Sequence, residues 1–342
     1  MQFITRYLQT KPGAGRSRFF RLYRLLAYCM VLLFLLSGCS GDIFSVSHNA
    51  STATPVPKLP PNTLLVPGVL TIGSYLNYPP QEYKDPVTQQ PAGFDIELIT
   101  MLAHRLNLKA EIVNLDFSTL IDNLQQKTID VVISALPITP DLQAKVDFIP
   151  YFKGGEALLV QKGNPAGIAG IDALCGKSIG VLSETIEQDD LMLESATCRK
   201  NGKQSISIKT ETNPKKGLEL LSQGKVAAFY IDAPLADHFL HIYPDQFELA
   251  GTIQNRTLEG IAVRKDDRVL MDALKMTFHA MVKDRSYAGL IEKWGLIHGM
   301  IEPEAHISNE ELALQDKSEV YREMQSLSLW SDARKIWHCR AR

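Results

Sequence analysis

The sequence predicts an α/β protein of two lobes, on three observations. Short β-branched runs alternate with amphipathic stretches of helical spacing. The run Asp130-Val131-Val132-Ile133-Ser134 is nearly continuous in apolar residues, as a strand buried on both faces of a parallel sheet requires. The alternation then passes through two strand–helix series before a late strand and a long helix that return to the first.

The first 38 residues stand apart from this pattern. Arg6, Lys11, Arg16, Arg18, Arg21 and Arg24 precede the apolar run Leu25 to Leu36, and no acid occurs among them. That run of 12 is shorter than the ~17 to 25 residues of a bilayer span and fits the apolar region of a secretory signal. Leu36-Ser37-Gly38-Cys39 resembles the bacterial lipobox, which implies cleavage before Cys39 and a diacylglyceryl group on that residue. Two acyl chains suffice for stable anchoring. Residues 39–62, rich in Ser, Thr and Pro, read as a flexible linker, so the expected protein is exported, lipid-anchored and extracytoplasmic.

The first lobe begins at 63. Val69 to Ile72 reads as a strand, and Asp95 as the cap of a helix whose face carries Ile99, Leu102, Ala103 and Leu106. Ile112-Val113 centres a second strand, Ser118 is placed as the cap of a helix with Leu120, Ile121 and Leu124, and Asp130 to Ser134 is the third strand. The first lobe is expected over 63–156, a second over 157–254, and a return to the first over 255–300. Second-lobe strands are expected at Ala157 to Gln161, Ser178 to Leu182, Ile206 to Lys209 and Ala227 to Ile231. Asn213-Pro214 is a cap followed by proline in the first turn, and Gly224 ends that helix. A strand at Gly260 to Val263 leads to a helix from Asp266 with Val269, Leu270, Ala273, Leu274, Met281 and Val282 on its core face. Residues 301–342 are polar and charged and read as a surface helix or tail, with docking to a partner as the alternative.

Composition excludes several classes. Lys+Arg 36 against Asp+Glu 38 gives −2, and losing the six leader cations leaves 30 against 38, a net −8, which gives nucleic acid no footprint. Of five cysteines, Cys29 lies in the leader and Cys39 takes the lipid. Cys175 and Cys198 flank one strand and helix and are predicted to pair, as an exported protein permits; Cys339 is left unpaired. No Cys-x-x-Cys, Walker, Gly-x-Ser-x-Gly or His-Glu-x-x-His pattern occurs, so neither metal nor cofactor is expected.

Several segments, each weak alone, combine by order and spacing. They are Leu70 to Gly73 followed by Tyr78-Pro79-Pro80, Gly93 to Leu98, Leu120-Ile121 with Asp130 to Leu136, Ile138-Thr139-Pro140 with Val146-Asp147-Phe148, Gly176 to Val181, and Gly224-Lys225-Val226 running to Asp232. In these the chain resembles the family-3 extracellular solute-binding proteins of ATP-binding-cassette importers for polar amino acids, over about 64–296. The resemblance implies a type II periplasmic-binding-protein fold with crossovers near Gly154 to Leu158 and Ile253 to Glu259. It further implies a small-molecule ligand, an amino acid or amine, enclosed between the lobes and delivered to a membrane permease, with no catalysis. A dehydratase on the same fold and a non-transport sensor or adaptor are the rival readings.

Carried over position by position, the resemblance implies that Tyr78 lies over the ligand and Phe117 forms an apolar wall. Ser134 and Ala135 bond its polar groups, and Asp232 pairs with its ammonium. Leu142 stands where an arginine would clamp the α-carboxylate, and Glu184-Thr185-Ile186 replaces Gly-Thr-Thr. Thr185 can still bond through its hydroxyl and amide, and Lys145, one turn after Leu142, can supply a point charge. Alternatively, the ligand lacks a carboxylate and is a cationic amine drawn to Asp232 and Glu184, or the transport role has been lost. Of these, a ligand without a carboxylate is favoured.

Overall fold

The computed structural model describes residues 59–301. The leader, Cys39, most of the linker and the tail beyond Ile301 lie outside the described residues. No described helix is long and apolar enough to cross a membrane.

The chain enters at β1 (Val69–Ser74) and makes a small sheet of β2 (Asn77–Tyr78), β3 (Glu82–Lys84) and β4 (Pro91–Ala92). Then follow α1 (Phe94–Arg105), β5 (Lys109–Asn114), α2 (Leu120–Gln125), β6 (Val131–Val132), α3 (Pro140–Gln143) and β7 (Val146–Lys153). After a first crossing at Gly154-Gly155 come β8 (Glu156–Gln161), β9 (Ser178–Leu182), α4 (Ile186–Lys200), β10 (Ser207–Glu211), α5 (Pro214–Ser222), β11 (Ala228–Asp232), α6 (Ala233–Ile242) and β12 (Phe247–Gln254). A second crossing, Asn255 to Thr257, returns to β13 (Leu258–Arg264), α7 (Arg268–Lys283) and α8 (Ser286–Trp294).

Two five-stranded sheets result, in the orders β5-β1-β6-β13-β7 and β10-β9-β11-β8-β12. In each, three parallel strands are joined by an antiparallel strand that has just come through a crossing, β13 in the first and β8 in the second. Open α/β sheets bind ligands outside the C-terminal ends of their strands, the position that Asp232 takes at the end of β11.

Local chemistry accounts for the elements. Asn213 Oδ1 accepts the Lys215 amide at 2.9 Å ahead of Pro214, and Asp267 Oδ1 accepts the Leu270 amide at 3.3 Å. Asp267, not Asp266, is therefore the cap of α7, and Val269 lies exposed beside the buried stripe Leu270, Ala273, Leu274, Phe278 and Met281. Asp95 is not a cap either. It is buried on the second residue of α1, behind Gly93 at φ 123, where a Cβ would collide with the Gln81 carbonyl oxygen. Ser118 falls in a 3₁₀ turn over Phe117–Thr119, with Thr119 leading into α2.

Phe94, Tyr151, Phe152, Phe278 and Tyr287 interlock in the first lobe's core, with Phe278 and Tyr287 edge-to-face at 5.1 Å. The second lobe has a smaller core on each face of its sheet, and one contains Cys198, joined to Cys175 with Cα atoms 5.6 Å apart as the sequence predicts.

The crossings press on one another. At Gly155, φ 137, a Cβ would meet the Gln254 carbonyl oxygen at 2.6 Å. Beside them the turn Ile297–Gly299 binds α6: the His298 amide donates to Asp237 Oδ2 at 3.0 Å and its Nδ1 lies 2.5 Å from Oδ1. Arg256, in the second crossing, donates to the His298 carbonyl at 3.0 Å.

Candidate functional site

The space between the sheets is lined by carboxyl groups. On the first lobe the β3 hairpin supplies Glu82, α1 supplies Asp95 and the start of β13 supplies Glu259; all three are buried. Asp95 Oδ2 accepts the Ala135 amide at 3.0 Å and the Tyr151 hydroxyl at 2.5 Å. Ser134 Oγ donates to Glu82 Oε1 at 2.8 Å and accepts the Tyr75 amide at 3.0 Å. Gln81 Nε2 donates to Glu259 Oε2 at 2.5 Å.

The second lobe adds Glu156 at the start of β8, Glu187 and Asp190 on α4, and Asp232 at the end of β11, directly across the ladder from Glu156. Tyr230 donates its hydroxyl to Glu156, and Asn255 Nδ2 donates to Glu156 Oε2 at 2.9 Å and Asp190 Oδ2 at 3.0 Å. Tyr78, from the first lobe, comes near enough to Asp232 for that carboxylate to add to the rise that burial imposes on its hydroxyl, and Asp232 acts on Glu187 as well.

Burial dominates the electrostatics. It pushes Asp95 and Asp232 up to about 6, Glu156 to about 7 and Glu187 to about 8, and it raises Glu82 and Glu259 too. Neighbouring carboxylates add to the rise: Asp95 acts on Glu82 and Glu259, and Asp232 on Glu187. Glu187 and Asp232 thus titrate as a pair, each resisting ionisation because burial penalises its charge, with Asp232 adding to the rise of Glu187. No described lysine or arginine forms an ion pair with these carboxyls, and none is among the largest influences on any shifted one. The buried Arg264 is used elsewhere, on Asp267 and the Ile129 carbonyl.

The residues singled out from sequence are divided by this geometry. Tyr78 and Asp232 meet across the lobes. Ser134 and the Ala135 amide, expected to face a ligand, are instead occupied inside the first lobe by Glu82 and Asp95. Thr185 caps α4, its Oγ1 accepting the Gln188 amide at 3.3 Å and donating to the Leu182 carbonyl at 3.0 Å, while the hydroxyl also faces Glu187. Glu184 is exposed at φ 63, outside the group; Glu187, inside α4's first turn, is the acid that joins Asp232. Phe117 is 45 % exposed and meets Tyr75 edge-on at 6.5 Å, and Lys145 lies exposed. Leu142 is half-buried against the apolar cluster of Leu120, Ile121 and Val146, so its position has been absorbed into packing.

Sequence reasoning missed Gln81, Glu82, Glu156, Glu187 and Glu259. A signal existed for three of them. Glu156 and Glu259 each open an apolar strand, Glu-Ala-Leu-Leu-Val and Glu-Gly-Ile-Ala-Val, where a lone acid is out of place. Thr185-x-x-Gln188 resembles a capping box and places Glu187 in a helical first turn.

The profile of the bacterial extracellular solute-binding proteins, family 3, matches residues 70–297. The L-cystine-binding protein TcyJ of Escherichia coli K12 is 28% identical over 228 residues, 66% of this chain and 82% of the relative. The arginine-binding protein ArgT of Corynebacterium glutamicum is 26% identical over 262 residues, 75% of this chain and 85% of the relative. Among solved structures, an ancestral cationic amino acid solute-binding protein superposes with a TM-score of 0.58 at 28% identity, covering 66% of this chain and 95% of its own. A polar amino acid uptake-transporter binding protein of Streptococcus thermophilus gives 0.58 at 19%, covering 66% and 86%, and supports the fold.

Proposed function

This chain belongs to the bacterial extracellular solute-binding proteins of family 3, and from that premise we propose that it is the receptor of an ATP-binding-cassette importer for a cationic amine. The ligand is captured between the lobes and handed to a permease, with the receptor held to the membrane by lipid on Cys39. One observation carries the choice of ligand: a carboxyl-rich cleft in which no described cationic side chain balances the acids. An ammonium supplies the missing charge, whereas a ligand carboxylate would add to the excess and, with Leu142 packed into an apolar cluster, would find no arginine there. The relatives named for arginine and cystine bind molecules bearing both groups; here the ammonium side of that recognition is kept and strengthened.

The test pairs amino acids with their decarboxylated amines: arginine with agmatine, lysine with cadaverine, followed by thermal unfolding. A ligand at a hundred times its Kd adds about 2.7 kcal/mol, a rise of several degrees. The amines should stabilise the protein more than the parent amino acids, and Asp232→Asn should abolish the effect. Stabilisation by amino acids alone would remove the carboxylate-free part of the reading. A second reading, a dehydratase on this fold, would use the raised Glu187 and Asp232 carboxyls as acid and base; recovery of a cyclohexadienyl substrate unaltered after long incubation excludes it.

A further inference from the structure

We infer that the cleft has a second cation subsite, formed by Glu259 and Gln81 beside the hinge crossings, and that the ligand is therefore a diamine; this rests on the cationic-amine reading above. Glu259 lies two residues after the second crossing, and its Oε1 points at the first: a Cβ on Gly154 would stand 2.5 Å from it. Oε2 accepts from Gln81 Nε2. The carboxyl is 5 % exposed and feels the charges of Asp95 on one side and Asp232 on the other.

The second observation is an unsatisfied acceptor. Gln81 is fully buried, its amide nitrogen is committed to Glu259 with Asp95 beside it, and its Oε1 has no donor. Glu82 Oε2 and Asp95 Oδ1 are likewise without a partner, but a carboxyl can meet burial by taking up a proton, the direction in which both are pushed. A carboxamide oxygen has no such recourse and needs an N–H or O–H from outside the described side chains. An alkylammonium brings three donors, enough for Gln81 Oε1 and Glu259 together. A metal ion fits less well, since among the described residues these carboxyl oxygens do not converge as ion ligands would.

Tyr78 lies near both subsites: beyond burial, Asp232, Glu259 and Glu187 all push its hydroxyl up, and the hydrocarbon chain of a diamine joining the two acids would pass close to it. Binding of an ammonium at Glu259 favours its ionised form, against the rise that burial imposes.

Isothermal titration of the purified full chain with putrescine, cadaverine and n-butylamine tests this. The expected result is a diamine bound at least about tenfold more tightly than the monoamine, with Glu259→Gln costing the diamine far more affinity than the monoamine, so that the advantage disappears. Gln81→Leu, which deletes the unsatisfied acceptor, should act in the same direction, and serves should E259Q fold poorly. Diamines no tighter than the monoamine, or equal losses for both in E259Q, overturn the second subsite and leave the single-cation receptor standing. No binding by any amine overturns both.

Discussion

The two lobes share one sheet order and differ in how they hold their acids. In the first lobe, Asp95 and Glu82 are bonded by groups of that same lobe: the Ala135 amide, the Tyr151 hydroxyl and Ser134. In the second, Asp232 faces another acid, Glu187, and Tyr78 of the other lobe comes near it. Burial raises the pKa in both places, so the shift itself does not separate a structural carboxyl from one that awaits a ligand. The partners do. A carboxyl that accepts amide and hydroxyl donors of its own lobe ties that lobe together, whereas Asp232, which faces another acid, is the one the cationic-amine reading gives to the solute.

The largest test of that distinction is Asp95→Ala. It strips a donor pair of its acceptor inside the core and should cost roughly 3 to 5 kcal/mol, a fall of about 10 °C in Tm. Asp232→Asn should leave Tm within about 2 °C of the parent, or raise it, because a half-buried charge is removed where no described cation balances it. Equal losses in the two variants would break the comparison.

The lobes differ next in what holds their cores. The first relies on interlocked aromatic rings, the second on smaller apolar clusters and one disulfide across 23 residues. Replacing Cys175 and Cys198 by serine together should cost about 3 kcal/mol on the chain-entropy view. Hydrogen exchange should quicken in β9 and α4 while α1 and β13 keep their protection. Quickening spread evenly through both lobes would show that they unfold as one unit.

Much of this was legible in the sequence, and the boundary is instructive. The strand Ser178–Leu182 is delimited correctly because an apolar run lies between Lys177 and a capped helix. The Cys175–Cys198 pair follows from its placement about that strand and helix. Asp232 is singled out by the family resemblance, and it does end the buried strand β11 as expected. Side-chain commitment is another matter. That Ser134 and Ala135 are already bonded depends on Glu82 and Asp95 arriving from 40 to 52 residues away, a product of tertiary packing around Gly93. Local pattern marks an acid as unusual, as it does Glu156 and Glu259, but only the fold tells which acids converge.

The smallest expected effect is the pH dependence, and its sign sets this protein apart from one stabilised by salt bridges. Ordinary Asp and Glu values near 3.8 and 4.5 rise on folding to about 6 for Asp95 and Asp232, about 7 for Glu156 and about 8 for Glu187. Between these limits the native state binds more protons than the unfolded chain, so stability is greatest below the unfolded values and is lost as pH rises through the folded ones. His298, raised chiefly by its hydrogen bond to Asp237, adds a loss of the same sign above its unfolded value of 6.5. The ligand-free protein should therefore melt lower at pH 8 than at pH 5. Glu187→Gln should flatten the upper part of that slope, and His298→Asn separates the histidine's share. A bound ammonium favours the ionised carboxyls, so it must flatten the slope too and bind more tightly at pH 8 than at pH 5. Ligand-free stability that climbs toward pH 8 would mean the cleft acids are already balanced by cations, and the contrast between the lobes would lose its electrostatic basis.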